Sequence, residues 1–180
     1  MEYLSTTEPD VFTMTVTISQ PSGHYLAELN VSTAIADLDS AEMEVFVKAL
    51  GKVNALADAA NGFVWRLQDG GDAMPDERFS DNPRTITTLS VWQTPDAFEN
   101  YIWNTAHRGF MQRGLRWFLP ATAPSFVMWW VPAGHIPRMA EARARLAQLT
   151  EQGPSSDAFD WSVLPGTRPW QAAGGPPRKP

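Results

Sequence analysis

Residues 125–132, SFVMWWVP, constrain the fold more than any other stretch of the chain. Their apolar run is unbroken, far shorter than the roughly 20 residues a membrane span needs, and closed by a proline. A run of that length and kind fits a β-strand covered on both faces. The chain must therefore build a sheet and bury both sides of at least part of it. With 180 residues, 43% of them hydrophobic and 19% charged, there is enough apolar surface for one core of ordinary size.

The remaining patterns supply the partners of that strand. From His24 to Val31 the chain alternates, with Leu26, Glu28 and Asn30 on one face. Ahead of it Phe12, Met14, Val16 and Ile18 alternate with polar residues, and QPSG then turns the chain. Residues 1–22 are accordingly expected to be an N-terminal arm or an extra edge strand. The stretch DSAEMEVFVKALGKVNALADAANG reads as a helix: Asp39 and Glu42 form a capping box, and Met43, Phe46, Val47, Leu50, Val53 and Leu56 keep helical spacing up to Asn61-Gly62. FVWRLQD follows as a strand, alternation putting Val64, Arg66 and Gln68 on one face and Phe63, Trp65 and Leu67 on the other. GGDAMPDERFSDNPR is a loop, and Thr85–Gln93 a third strand on which Thr88, Ser90 and Trp92 share a face.

Thr94-Pro95-Asp96 starts a second helix. It is expected to run toward Phe118, broken or bent at Gly109 and Gly114, and to end at Leu119-Pro120. After SFVMWWVP comes an amphipathic helix with Met139, Ala142, Leu146 and Leu149 on one side and Glu141 spaced to pair with Arg145. Residues 164–180, rich in proline and glycine, read as a disordered tail.

This β-α-β-β-α-β order with an extra C-terminal helix predicts an α+β, ferredoxin-like domain over residues 23–163. Helices on one face leave the other face bare. An apolar bare face is buried by a second copy, which predicts a homodimer joined through its sheets.

Charge and composition exclude several functions. A net charge of −6 and a pI near 5.0 argue against nucleic acid or an anionic membrane as partner. With no cysteine there are no disulfides, thiolate metal sites or cysteine nucleophiles. Asp69, Asp72, Asp76, Glu77 and Asp81 lack calcium-loop spacing. No phosphate loop, dinucleotide fingerprint, nucleophile elbow or metalloprotease helix is present, so no metal and no cofactor are expected. The first residues show no signal-peptide pattern, which predicts a soluble cytoplasmic protein.

The blocks HYLAELNVSTA, NALADAANGFVWRLQD, LSVWQTPDAFENYIW, AHRGFMQRGLRWF and the region from MWWVPAGHIP to residue 160 resemble a bacterial family known as domain of unknown function 3291. The resemblance spans about residues 24–160. It implies a dimeric α+β barrel, a superfamily that includes cofactor-free antibiotic-biosynthesis monooxygenases, haem-degrading monooxygenases, isomerases and dehydratases. Asn104 stands where the family is expected to carry arginine, and Gly114, Leu115 and Leu119 replace a more polar pattern. Those departures fit a paralogue turned to a less polar ligand.

Eight tryptophans in 180 residues fit either an aromatic core or the walls of a pocket for a flat molecule. Trp103, His107, Phe110, Gly114 and Trp117 form one helical stripe expected to face the sheet. His107 then has three readings: a hydrogen-bonded core residue, a pocket acid/base, or, because related barrels ligate haem through a helix histidine, a haem ligand. His135 and His24 read as loop and strand-end residues. Arg66 needs a partner inside a core strand: Glu28, in an ion pair at the dimer interface, or the enolate or carboxylate of a substrate. The expected site therefore has His107 and Arg66 as catalytic residues, with Trp65, Trp92, Trp103, Phe110, Trp117, Trp130 and Asn30 lining it. The expected function is a natural-product tailoring enzyme acting on a hydrophobic aromatic or polyene molecule. Cofactor-independent oxygenation comes first; cyclisation or isomerisation, haem chemistry and a non-catalytic ligand-binding dimer are the alternatives.

Overall fold

In a computed structural model, residues 17–68, 78–104, 109 and 116–166 are described. Alternating β-branched and aromatic residues form strands β1 (His24–Thr33), β2 (Phe63–Arg66), β3 (Thr85–Trp92) and β4 (Phe126–Pro132). They make one sheet in the order β2-β3-β1-β4, every pairing antiparallel. Between and after them lie helices α1 (Glu44–Asp58), α2 (Pro95–Asn104) and α3 (Met139–Gln152). This is the ferredoxin-like α+β arrangement that the sequence predicts, with the extra C-terminal helix.

The pleat sorts the core into layers. On the inner face Leu26, Trp92 and Met128 pack with Phe98, Tyr101 and Ile102 of α2 and Ala57 of α1. A neighbouring cluster joins Met43 and Phe46 to Ala34 and Trp117. On the outer face Ala27, Leu29, Leu89, Val91, Val127, Trp129 and Val131 pack against Met139, Ala142, Leu146 and Leu149 of α3. Both faces of β4 are therefore covered, as its unbroken apolar run requires.

The coverage of the outer face corrects an expectation. It is not bare: α3 lies across β4 and β1. Half-buried Trp65 and Leu67 of β2 sit at the margin of that cluster. Helical periodicity identifies an apolar stripe but not the side of a sheet on which it docks.

Local departures have equally local causes. Helix α1 starts at Glu44, and its N-cap, Met43, makes no side-chain bond, so Asp39 and Glu42 form no capping box there. Thr94 does cap α2, its Oγ1 accepting from the Ala97 amide at 3.2 Å. Gly62, at φ +78, brings the turn after α1 against the start of α2; a Cβ there would lie 2.6 Å from that of Ala97. The register of β2 on β3 shifts between Phe63 and Trp65. That bulge breaks the expected alternation, so Phe63 joins Trp92 on the inner face while Trp65 stays outside.

After α3 the chain passes the edge of β4. Phe159 forms an antiparallel bridge with Met128, the two exchanging backbone bonds of 2.7 and 2.9 Å. A 3-10 turn at Trp161–Val163 then lays Trp161, Val163 and Leu164 on the inner-face core. Leu164, expected to begin the disordered tail, is 7% exposed; residues 167–180 lie outside the described residues. In the expected arm, Ile18 is buried, and its amide donates to the Val163 carbonyl at 2.8 Å; residues 1–16 are outside the described residues.

Candidate functional site

The inner face carries a polar centre inside an aromatic wall. The pleat of β1 points Glu28 inward, level with Ser90 of β3 and Met128 of β4. Glu28 is 3% exposed, and no basic side chain pairs with it among the described residues. Ser90 Oγ donates to Glu28 Oε1 at 2.5 Å, and the indole N–H of Trp92 donates to Ser90 Oγ at 2.8 Å. Burial pushes the Glu28 carboxyl up to about 8, while the Ser90 hydrogen bond pulls less strongly the other way. At neutral pH the group is therefore mostly a neutral acid.

Aromatic rings surround this centre. Trp92 stacks on Tyr101 at 5.0 Å, lies 5.4 Å from Phe98 and meets Phe63 edge-on at 5.3 Å. Phe98 in turn stacks on Trp161 at 5.5 Å, and Phe126 runs nearly parallel to Trp161 at 6.3 Å. The Tyr101 hydroxyl donates to the Val53 carbonyl of α1 at 3.3 Å. Burial, and after it the charge of Glu28, raises the Tyr101 phenol far above its ordinary range. A cleft between the start of α2 and the 3-10 turn, lined by Pro95, Asp96, Glu99, Trp161 and Leu164, opens at the end of this aromatic array.

Arg66 does not meet Glu28 as the sequence suggested. Its Nε and one terminal nitrogen donate to the two carboxylate oxygens of Asp58, at 2.8 and 3.2 Å. The guanidinium holds Asp58 below the usual carboxylate range. Face-sharing within the sheet pointed to Glu28, but the end of α1 descends onto β2 and offers a nearer acid. The expected Glu141–Arg145 pair is also replaced. Glu141 Oε1 accepts from the Trp129 indole at 2.8 Å and Oε2 lies 2.8 Å from His135 Nε2, whereas Arg145 reaches Asp157 at 3.9 Å.

The structure brings some expected site residues together and separates others. Trp92, Trp103 and Trp130 belong to the inner-face core. Asn30 is half-buried two residues along β1 from Glu28, between Thr88 and Phe126. The Trp130 indole N–H is buried and finds no acceptor among the described residues. Trp65 lies on the outer face. Trp117 packs on Phe46 at 5.6 Å in the cluster at the start of α1. His107 and Phe110 lie outside the described residues. Sequence reasoning missed Glu28 as a titrating group, and with it Tyr101 and Trp161. The available signal was an acid set among Leu26, Ala27 and Leu29 on a core strand, which is costly unless the acid is neutral or paired.

Among the described residues, no helix is long and apolar enough to cross a membrane, and no group of acidic and histidine side chains could hold a metal ion.

The family model described as "Domain of unknown function (DUF3291)" matches residues 25–172. No curated protein matches the chain. Among solved structures, NE2512, a protein of unknown function from Nitrosomonas europaea, is 14% identical with a TM-score of 0.43, over 64% of this chain and 96% of that one. SnoaB, a cofactor-independent oxygenase from Streptomyces nogalater, is 16% identical with a TM-score of 0.37, over 62% of this chain and 95% of that one.

Proposed function

The chain belongs to the DUF3291 family, and for it we propose a natural-product tailoring enzyme that holds a hydrophobic aromatic or polyene molecule between the inner sheet face and helices α1 and α2 and oxygenates it without a cofactor. Glu28 is the base. It removes a proton from a carbon made acidic by a conjugated carbonyl, leaving an enolate. The enolate passes its electrons to dioxygen and a carbon–oxygen bond forms. The O–O bond of the resulting peroxide then breaks as water leaves, so that a methylene and dioxygen become a carbonyl and water. His107, which lies outside the described residues, is the proposed second acid/base that returns a proton to the peroxide.

One observation carries this reading: a carboxyl without a cationic partner among the described residues, buried in an aromatic wall and held by a serine hydroxyl. Its affinity for protons, near 8, suits a base working close to neutral pH. The rings around Trp92 suit a flat apolar substrate. Oxygen uptake by the full chain with an enolisable polycyclic aromatic ketone such as anthrone tests the reaction. Glu28→Gln abolishing uptake while the fold is kept is the expected result; a fully active Glu28→Gln protein rejects it. His107→Phe, in the same assay, is expected to be folded and slow. Turnover of the ketone without oxygen consumption would point instead to isomerisation or cyclisation by the same proton abstraction. An absorption spectrum with a Soret band would point to haem.

The proposed enzyme is a homodimer that meets its copy through the outer face of β2 and β3, beyond the reach of α3. Half-buried Trp65 and Leu67 on that margin support it. Light scattering is expected to give twice the chain mass of 20.0 kDa; a monomer would remove this part of the proposal.

A further inference from the structure

We propose that Ser90, with its hydroxyl hydrogen directed by the Trp92 indole, is a positioning residue that fixes which oxygen of Glu28 exchanges the proton. This deepens the preceding reading, since it matters to catalysis only where Glu28 is the base.

An indole nitrogen can only donate, so Trp92 must give its hydrogen to Ser90 Oγ, at 2.8 Å. One lone pair of that oxygen is thereby occupied. Glu28 Oε1, at 2.5 Å, is the acceptor available to the serine hydrogen among the described residues. The hydroxyl therefore donates to Oε1. An oxygen already accepting a short hydrogen bond from Ser90 is the poorer site for the acid proton. In the neutral acid the proton consequently sits on Oε2, and in the carboxylate Oε1 stays engaged while Oε2 is the free base. A hydroxyl without a second partner would rotate, and either oxygen could then hold the proton. The serine thus selects Oε2 as the exchanging atom and stabilises the anion left behind.

Other elements packed around Glu28 tune this but cannot supply the same selection. Strand β4 offers Met128, which does not titrate. Helix α2 offers Tyr101, whose phenol donates to the Val53 carbonyl. Strand β2 offers Arg66 and helix α1 offers Asp58, and those two pair with each other.

The test is a pH titration of the full chain labelled with carboxyl-13C glutamate. The Glu28 resonance is assigned by its loss in Glu28→Gln. Ser90→Ala is expected to move the Glu28 midpoint upward by about one pH unit, because the carboxylate loses its donor. Ser90→Thr, which keeps the hydroxyl, should leave the midpoint in place. Trp92→Phe keeps a ring but removes the N–H, and a smaller upward shift is expected. An unmoved midpoint in both Ser90→Ala and Trp92→Phe, or a Ser90→Thr protein displaced as far as Ser90→Ala, overturns the proposal; the Trp92 variant decides if Ser90→Ala does not fold. No substrate is needed, so the two readings fail separately. If the midpoints shift but Glu28→Gln still consumes oxygen with anthrone, the oxygenase reading falls and the Ser90 role stands. If Glu28→Gln is inactive but no midpoint shifts, the Ser90 role falls and the oxygenase reading stands.

Discussion

Glu28 on the inner face and Glu141 on the outer face both stand at the end of an indole N–H, yet they are kept in opposite conditions. Glu141 accepts directly from Trp129, contacts His135, and sits in the first turn of α3 with its side chain 28% exposed. It thus meets an indole, an imidazole and solvent at once. Glu28 receives its indole only through Ser90, is sealed from water, and has no basic partner among the described residues. One carboxyl, bonded to the Trp129 indole, fastens a helix to the sheet. The other is buried beside a serine hydroxyl, and burial pushes its carboxyl up to about 8. Similar side chains serve as a rivet on one face and as the proposed base on the other.

The widest separation between them is in catalysis. Replacing Glu28 by glutamine is expected to lower oxygen uptake with anthrone by about 10²–10⁴-fold, the usual loss for one acid/base group. Replacing Glu141 by alanine should leave uptake nearly intact. Equal losses from the two variants would erase the distinction.

Stability against pH sharpens it further. The affinity of Glu28 for protons is raised by folding, from 4.5 to about 8. The folded state thus binds a proton that the unfolded state has already released in that window. The contribution is fully present below about pH 4.5 and is lost as pH rises through about 8. Denaturant titrations should show the protein weakening by roughly 4–5 kcal/mol across that interval, and Glu28→Gln should be flatter over the same range. A wild-type curve as flat as the variant's would mean that Glu28 is not buried in the way described. The smallest expected effect is on the outer face. Glu141→Ala should cost roughly 1–2 kcal/mol in urea unfolding, chiefly because the Trp129 indole loses its acceptor.

Much of this was legible in the sequence, and the limits fall where two elements meet. Each strand, the Thr94 cap and the stripe Met139, Ala142, Leu146 and Leu149 follow from period and capping chemistry. Those signals live within one element. The bulge at Val64 is a property of how β2 lies on β3, so alternation misassigned Phe63. The partners of Arg66 and Glu141 were misread for a related reason. Strand faces and i,i+4 spacing rank candidates along the chain, whereas Asp58 and Trp129 won by proximity across it. Alternation alone ranks Glu28 as the partner of Arg66 in an ion pair. Once Arg66 is committed elsewhere, the same residue becomes the candidate site. Of the expected stripe, Trp103 and Trp117 pack in two different clusters; His107 and Phe110 lie outside the described residues, and the part of His107 in the site rests on His107→Phe.

The bridge between Phe159 and Met128 has a consequence for solubility. A sheet edge with free amides and carbonyls can recruit strands from other chains. Here the middle of one edge is already occupied, because both outward backbone groups of Met128 are taken by Phe159. The opposite edge, β2, is four residues long and bulged, a poor template for continued pairing. Growth of the sheet sideways into fibrils is therefore obstructed at both ends. Loosening the segment after α3 would reopen that edge as well as uncover the core beneath Phe159, Val163 and Leu164.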